Sequence, residues 1–157
     1  MMSNNPIWDY SVATYSLQGV APACLALQET FGLDVNLLLY AAWLAQREQR
    51  LSHQHLADVE TLIADWREDM IKPLRALRQR WRQISDAAAM RDDIKSLELR
   101  AEERQQDTMY AYYQGSTGLS WAADPLGQNL ALVASHAGPE KDGRSAAIGR
   151  LTRLIAA

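Results

Sequence analysis

Residues 28–41, Gln-Glu-Thr-Phe-Gly-Leu-Asp-Val-Asn-Leu-Leu-Leu-Tyr-Ala, constrain the fold more than any other part of the chain. They read as the end of one helix, a tight glycine turn and the capped start of a second helix. Before the turn, Val20, Cys24, Leu25, Leu27 and Phe31 recur at roughly helical spacing. Gly32 follows the last of them, where a left-handed residue ends a helix without a Cβ penalty. Asp34 precedes Val35-Asn36-Leu37, where its carboxylate can accept amide hydrogen bonds and complement the helix dipole. From Leu37 to Ala45 run nine residues without a charge, enough to surround a helix, so this helix is expected at the centre of the protein. The expected fold class is all-α: a single-domain bundle of about six main helices with one or two short C-terminal ones.

The rest of the chain fits that frame. A first helix is expected from Ile7 to about Leu17, with Ile7, Trp8, Val12, Tyr15 and Leu17 inward, broken at Gln18-Gly19. The central helix should continue to about Gln49. Ser52 caps a fourth helix to Ile71 that turns Leu56, Val59, Leu62 or Ile63, and Trp66 inward. Pro73 fits the first turn of a fifth, lined by Leu74, Leu77, Trp81 and Ile84. A sixth, highly charged helix runs from about Arg91 to Tyr113, with Ile94, Leu97 and Ala101 inward. Gly115-Ser116-Thr117-Gly118 marks the best boundary, giving a helical domain over 7–115 and an extension over 116–157. Two short helical patterns follow, Pro125 to His136 and Ser145 to Ile155.

The stretch Leu27-Gln28 through Gly32, then Asp34-Val35-Asn36-Leu37-Leu38-Leu39-Tyr40 and on to Trp43, resembles the signature of an uncharacterised, mainly proteobacterial, all-helical family of unknown function. Trp8 and Tyr15 fit the same N-terminal pattern. The resemblance covers roughly residues 7–115 and is strongest over 27–43. It implies a helical fold and brings no catalytic residues with it.

Composition narrows the function. At 157 residues the chain can bury roughly 70% of its unfolded surface. A net charge of −3 gives no general case for nucleic acid or a membrane surface. The longest apolar run is too short for a membrane span, which needs about 20 residues. Cys24 is the only cysteine, so no intrachain disulfide can form, in keeping with a reducing compartment. A cytoplasmic protein is expected.

The charge distribution is less bland. No Lys or Arg occurs before Arg47, and 13 of the 16 basic residues are arginine, the residue suited to bidentate pairing with carboxylate or phosphate. Five cations fall between Lys72 and Arg82 with no acid among them, and Arg75, Arg78 and Arg82 share one helix face. One reading is a contact surface for an acidic protein, a phosphate-bearing ligand or RNA. The other is a solvated face paired with the acids of the sixth helix, which has seven acids between Asp86 and Asp107 to draw on.

Other constellations are weaker. Asp65 and Asp69, at i and i+4, could hold magnesium with a second pair, Glu98 and Glu102, but such acids usually form a solvated face. The histidines, His53, His55 and His136, lack the spacing of a zinc or di-iron site, and the first two read as exposed. Gln28, Asn36, Tyr40 and Trp43 could border a pocket, although a structural hydrogen-bond network at the turn is the favoured reading of Gln28 and Asn36. No catalytic residue, metal site or cofactor is expected. The leading expectation is a non-catalytic interaction or adaptor module that meets an acidic partner through Arg75, Arg78 and Arg82. The alternative is a small ligand-binding protein or enzyme, with a pocket near Tyr40 and Trp43 or magnesium at Asp65 and Asp69. The oligomeric state is not legible.

Overall fold

In the computed structural model, which describes residues 4–157, the glycine turn forms as its residues require. Helix α2 (Val20–Phe31) ends on Gly32, which is left-handed at φ 68°. The Gly32 amide donates to the Gln28 carbonyl at 3.0 Å and that of Leu33 to Leu27 at 3.3 Å, so the last carbonyls of the helix are satisfied. Asp34 then caps α3 (Val35–Gln46), its carboxylate accepting from the Asn36 amide at 2.8 Å. Every residue from Asn36 to Leu44 is buried, so α3 is central.

The described chain is all-α, as expected, and divides into two compact units. The first comprises residues 4–57 with Ser116–Ala157. In it α1 (Pro6–Tyr15) and α7 (Leu126–His136) pack on α3, while α8 (Arg144–Ala156) packs on α2 and α7. Ile7, Leu27, Leu38, Tyr40, Leu44, Leu130 and Leu151 form its core. One polar side chain ties α7 to the exit of α3. Asn129, almost fully buried, donates to the carbonyls of Ala41 and Gln49 at 3.2 and 3.0 Å and accepts from the Leu51 amide at 2.9 Å. A buried amide with its donors and acceptor satisfied fixes one arrangement and costs no desolvation penalty.

Helix α1 departs from the expected phase. It is capped by Asn5, whose side chain accepts from the Ile7 and Trp8 amides at 2.9 and 3.3 Å, and it ends at Tyr15 rather than Leu17. It buries Ile7, Ser11 and Thr14, leaving Val12 and Leu17 55% and 44% exposed. The two hydroxyl residues are small and sit at i+4 and i+7 from Ile7, on one face. Helix α3 ends at Gln46 rather than Gln49, because the following residues pair with another segment. Gln49 bridges Trp121, the Arg50 amide donates to the Ser120 carbonyl at 2.8 Å, and the Ala122 amide donates to Glu48 at 3.0 Å.

Asp58–Gly115 forms the second unit. Helix α4 (His53–Trp66) starts in the first unit and gives this one its residues from Asp58 onward. No break precedes Pro73. A π turn over Arg67–Ile71 carries the chain directly into α5 (Lys72–Arg80), with the Lys72 amide reaching back to the Arg67 carbonyl. Proline has no N–H and its ring crowds the preceding turn; one wide turn just before it accommodates both defects. Two short 3₁₀ turns, Trp81–Gln83 and Ser85–Ala87, lead into α6 (Ala88–Gly115), which packs against α5.

Packing here is thin. No residue of α5 is fully buried, and α6 buries Glu98, Ala101, Gln105, Gln106 and Met109. Ile63 is inward and Leu62 outward, and the expected inward Ile84 and Leu97 are 50% and 43% exposed. Polar contacts supply much of the fastening. The Trp66 indole donates to the Ala101 carbonyl at 2.8 Å, and the Tyr112 hydroxyl donates to Asp58 at 2.7 Å.

Candidate functional site

Helix α5 presents the basic strip, and α6 supplies its counter-charges. Arg78 grips Glu98 with two bonds, Nε to Oε2 at 2.6 Å and Nη2 to Oε1 at 3.3 Å. Arg75 reaches Glu98 through Nε at 3.3 Å and Glu102 through Nη2 at 3.2 Å. Glu98 has only 8% of its side chain exposed, against 20% and 18% for Arg75 and Arg78. A carboxylate that deep is tolerable because two guanidiniums saturate its lone pairs. Arg75 and Arg78 are thus brought together on one acid, while Arg82 lies beyond them and is exposed, as is Arg80. Glu98 and Glu102, weighed as metal ligands from sequence, hold arginines instead.

Asp65 and Asp69 are exposed and flank the start of the π turn. Among the described residues no three acid, histidine or cysteine side chains converge as a metal site would require. Nearby acids are engaged elsewhere: Arg67 pairs with Glu60 and Glu68, and Lys72 with Glu68 at 2.8 Å. Those partners pull the Glu68 carboxyl below its ordinary range, Lys72 foremost by its hydrogen bond.

The residues expected around a pocket, Gln28, Asn36, Tyr40 and Trp43, have differing fates. Gln28 is half-buried at the end of α2, and Asn36 is buried at the start of α3. Tyr40 is wholly buried and stacks on Trp43, with ring centres 6.0 Å apart. The Arg47 guanidinium covers the Trp43 ring at 5.1 Å. The Tyr40 hydroxyl shares a 2.6 Å hydrogen bond with His55 Nε2. His55, read from sequence as exposed, is 5% exposed: it is the third residue of α4, on the side that Leu56 and Val59 also bury. Cys24 is buried, and burial pushes its thiol up to about 12, far from a nucleophile's range.

A cleft of about 500 Å³ opens on another face of α3, within the first unit. Ala42, Ala45 and Gln46 line it from α3, Tyr10 and Thr14 from α1, Leu17 from the turn after α1, and Ile155 from the end of α8. Asp124 and Leu126 close one side. Tyr10 is hydrogen-bonded with Thr14, and burial holds its phenol above the ordinary value. Nothing in the helical periodicity marks this cleft. Its one sequence signal is a run of small residues, Ala41, Ala42 and Ala45, on an otherwise bulky helix.

These features define an all-helical protein with an ion-paired α5–α6 hairpin in one unit and an acid-bearing cleft in the other. A family profile described as protein of unknown function (DUF2390) matches residues 6–109, two thirds of the chain, and the chain belongs to that family. No curated protein and no solved structure matches it. No helix among the described residues is long and apolar enough to cross a membrane.

Proposed function

We propose that this chain is a non-catalytic, cytoplasmic interaction module of bacterial origin, which contacts an acidic protein partner through the basic face of α5. The observation that carries the reading is the clamp on Glu98. It holds Arg75 and Arg78 in place at the edge of a helix that buries none of its residues fully, and Arg80 and Arg82 stand exposed beyond them. Pre-ordered arginines lose less conformational entropy when a carboxylate-bearing partner arrives. Because Glu98 and Glu102 already take up charge from Arg75 and Arg78, Arg82 and its neighbour Arg80 carry most of the attraction.

The test starts with affinity capture from the host at low salt, followed by binding of the purified retained protein to wild type and to Arg80→Glu/Arg82→Glu. Both substituted positions are exposed, so the fold should survive, which circular dichroism checks. Expected are at least roughly tenfold weaker binding by the variant and steep loss of wild-type binding with salt. Equal binding by the reversed variant, or no stoichiometric protein retained, would sink the reading.

A further inference from the structure

The cleft in the first unit has a chemical character of its own, independent of the α5 face. It is lined by three alanines of α1 and α3, Ala13, Ala42 and Ala45, with Leu17, Leu126 and Ile155 and the neutral polar Tyr10, Thr14 and Gln46. Small side chains between two packed helices leave room that larger ones would fill. The volume, about 500 Å³, falls in the range of small-molecule sites. Among the described residues that line it, Asp124 is the one carboxylate, and there is no lysine, arginine or histidine.

Asp124 is also held in place. It adopts φ 49°, a left-handed conformation uncommon outside glycine. The loop before it is pinned to the exit of α3: the Arg50 amide donates to Ser120 and the Ala122 amide to Glu48. The loop after it enters α7 at once, with the Asn129 amide donating to the Pro125 carbonyl at 2.8 Å. The indole of Trp121, 70% exposed in the same loop, leans toward a second acid, its Nε1 donating to Glu48 at 3.4 Å. A cleft lined by both apolar and neutral polar side chains, with one exposed carboxylate on a pinned backbone and no base, calls for a ligand with an apolar body and one positive charge, the exposed pair adding a modest increment to apolar contact.

We propose that this cleft binds a small organic cation, an alkyl- or arylammonium whose hydrocarbon part lies on Ala42 and Ala45 and whose ammonium meets Asp124. The probes are hexylammonium chloride, 1-hexanol and sodium hexanoate, matched in length and differing in charge. Each is titrated into the ¹⁵N-labelled full chain while the backbone amides are followed. Hexylammonium should shift the amides of Ala42, Ala45, Gln46 and Leu126 and bind roughly three- to tenfold more tightly than hexanol, with hexanoate weakest. Asp124→Asn tests the charge without disturbing the loop, because asparagine also tolerates left-handed backbone; in that variant hexylammonium and hexanol should bind alike. Ala45→Phe fills the cleft and should remove the shifts for all three probes. The proposal is overturned by wild-type binding that does not depend on charge, by selectivity that survives Asp124→Asn, or by an absence of shifts at those amides.

Discussion

The hydroxyl of Tyr40 lies 2.6 Å from Nε2 of His55, and the two rings are parallel within 8° at the buried junction of α3 with the start of α4. Each supplies the other with a polar contact where water does not reach. Tyr40→Phe removes the hydroxyl and should lower stability by about 1–2 kcal/mol, read as a shift in the urea midpoint. An unchanged midpoint would mean that His55 finds another partner at no cost.

The clamp on Glu98 predicts a contrast between two ion pairs of the same unit. A double-mutant cycle on Arg78 and Glu98 should return a coupling of about 1–3 kcal/mol, because the carboxylate is nearly buried. The same cycle on Lys72 and Glu68, both about half exposed, should return less than about 0.5 kcal/mol. Equal couplings would contradict the burial argument.

Burial pushes the Cys24 thiol up to about 12, so at pH 8 about one molecule in ten thousand carries the reactive thiolate. Native protein should resist iodoacetamide at that pH and react promptly once unfolded in urea. Native labelling as fast as that of a free thiol would show that α2 opens readily.

Alkaline pH should act through Tyr112. Its hydrogen bond to Asp58 raises the phenol above its ordinary value. The unfolded phenol gives up its proton near pH ~10, whereas the folded one keeps it to higher pH. The bond therefore contributes fully below about pH 10 and is lost as pH rises through the folded value. Wild type should be more stable than Tyr112→Phe at neutral pH, and the gap should close above about pH 10. A gap that widens there would reverse the sign and refute the assignment.

Two left-handed glycines should respond differently to alanine. A Cβ on Gly32 would meet nothing within 4 Å, so Gly32→Ala should cost only the conformational term, about 1–2 kcal/mol. At Gly19 the same atom would come within 3.0 Å of a Leu154 methyl, and Gly19→Ala should cost more. Thermal unfolding of the two variants tests the order.

Local chemistry made the hairpin at Gly32 legible, since a φ > 0 residue and an N-cap are demanded by the backbone itself. It also made the pairing of α5 arginines with α6 acids legible as one of two readings, because so many acids follow in sequence. Phase was harder. Val12, Leu17 and Leu97 look inward by type, but contact is decided by which residues share a face with Ile7 or Ala101, and small or polar Ser11, Thr14 and Glu98 take those places. Buried polar groups are the least readable. Asn129 and His55 are recognisable only once residues far apart in sequence stand beside them. Asp124 shows the same limit, because its role depends on a loop held by the end of another helix.

The π turn at Arg67–Ile71 has a consequence for lineage as well as shape. An extra residue inside a helix turns everything downstream by about 100°. Counting threes and fours forward from Leu56 therefore loses step near Trp66, and the face on which Arg75 and Arg78 meet Glu98 is set by that one inserted position. Chains that kept Pro73 but lost a residue between Arg67 and Ile71 would point those arginines elsewhere, with every cation still in the text of the sequence and the clamp on Glu98 gone.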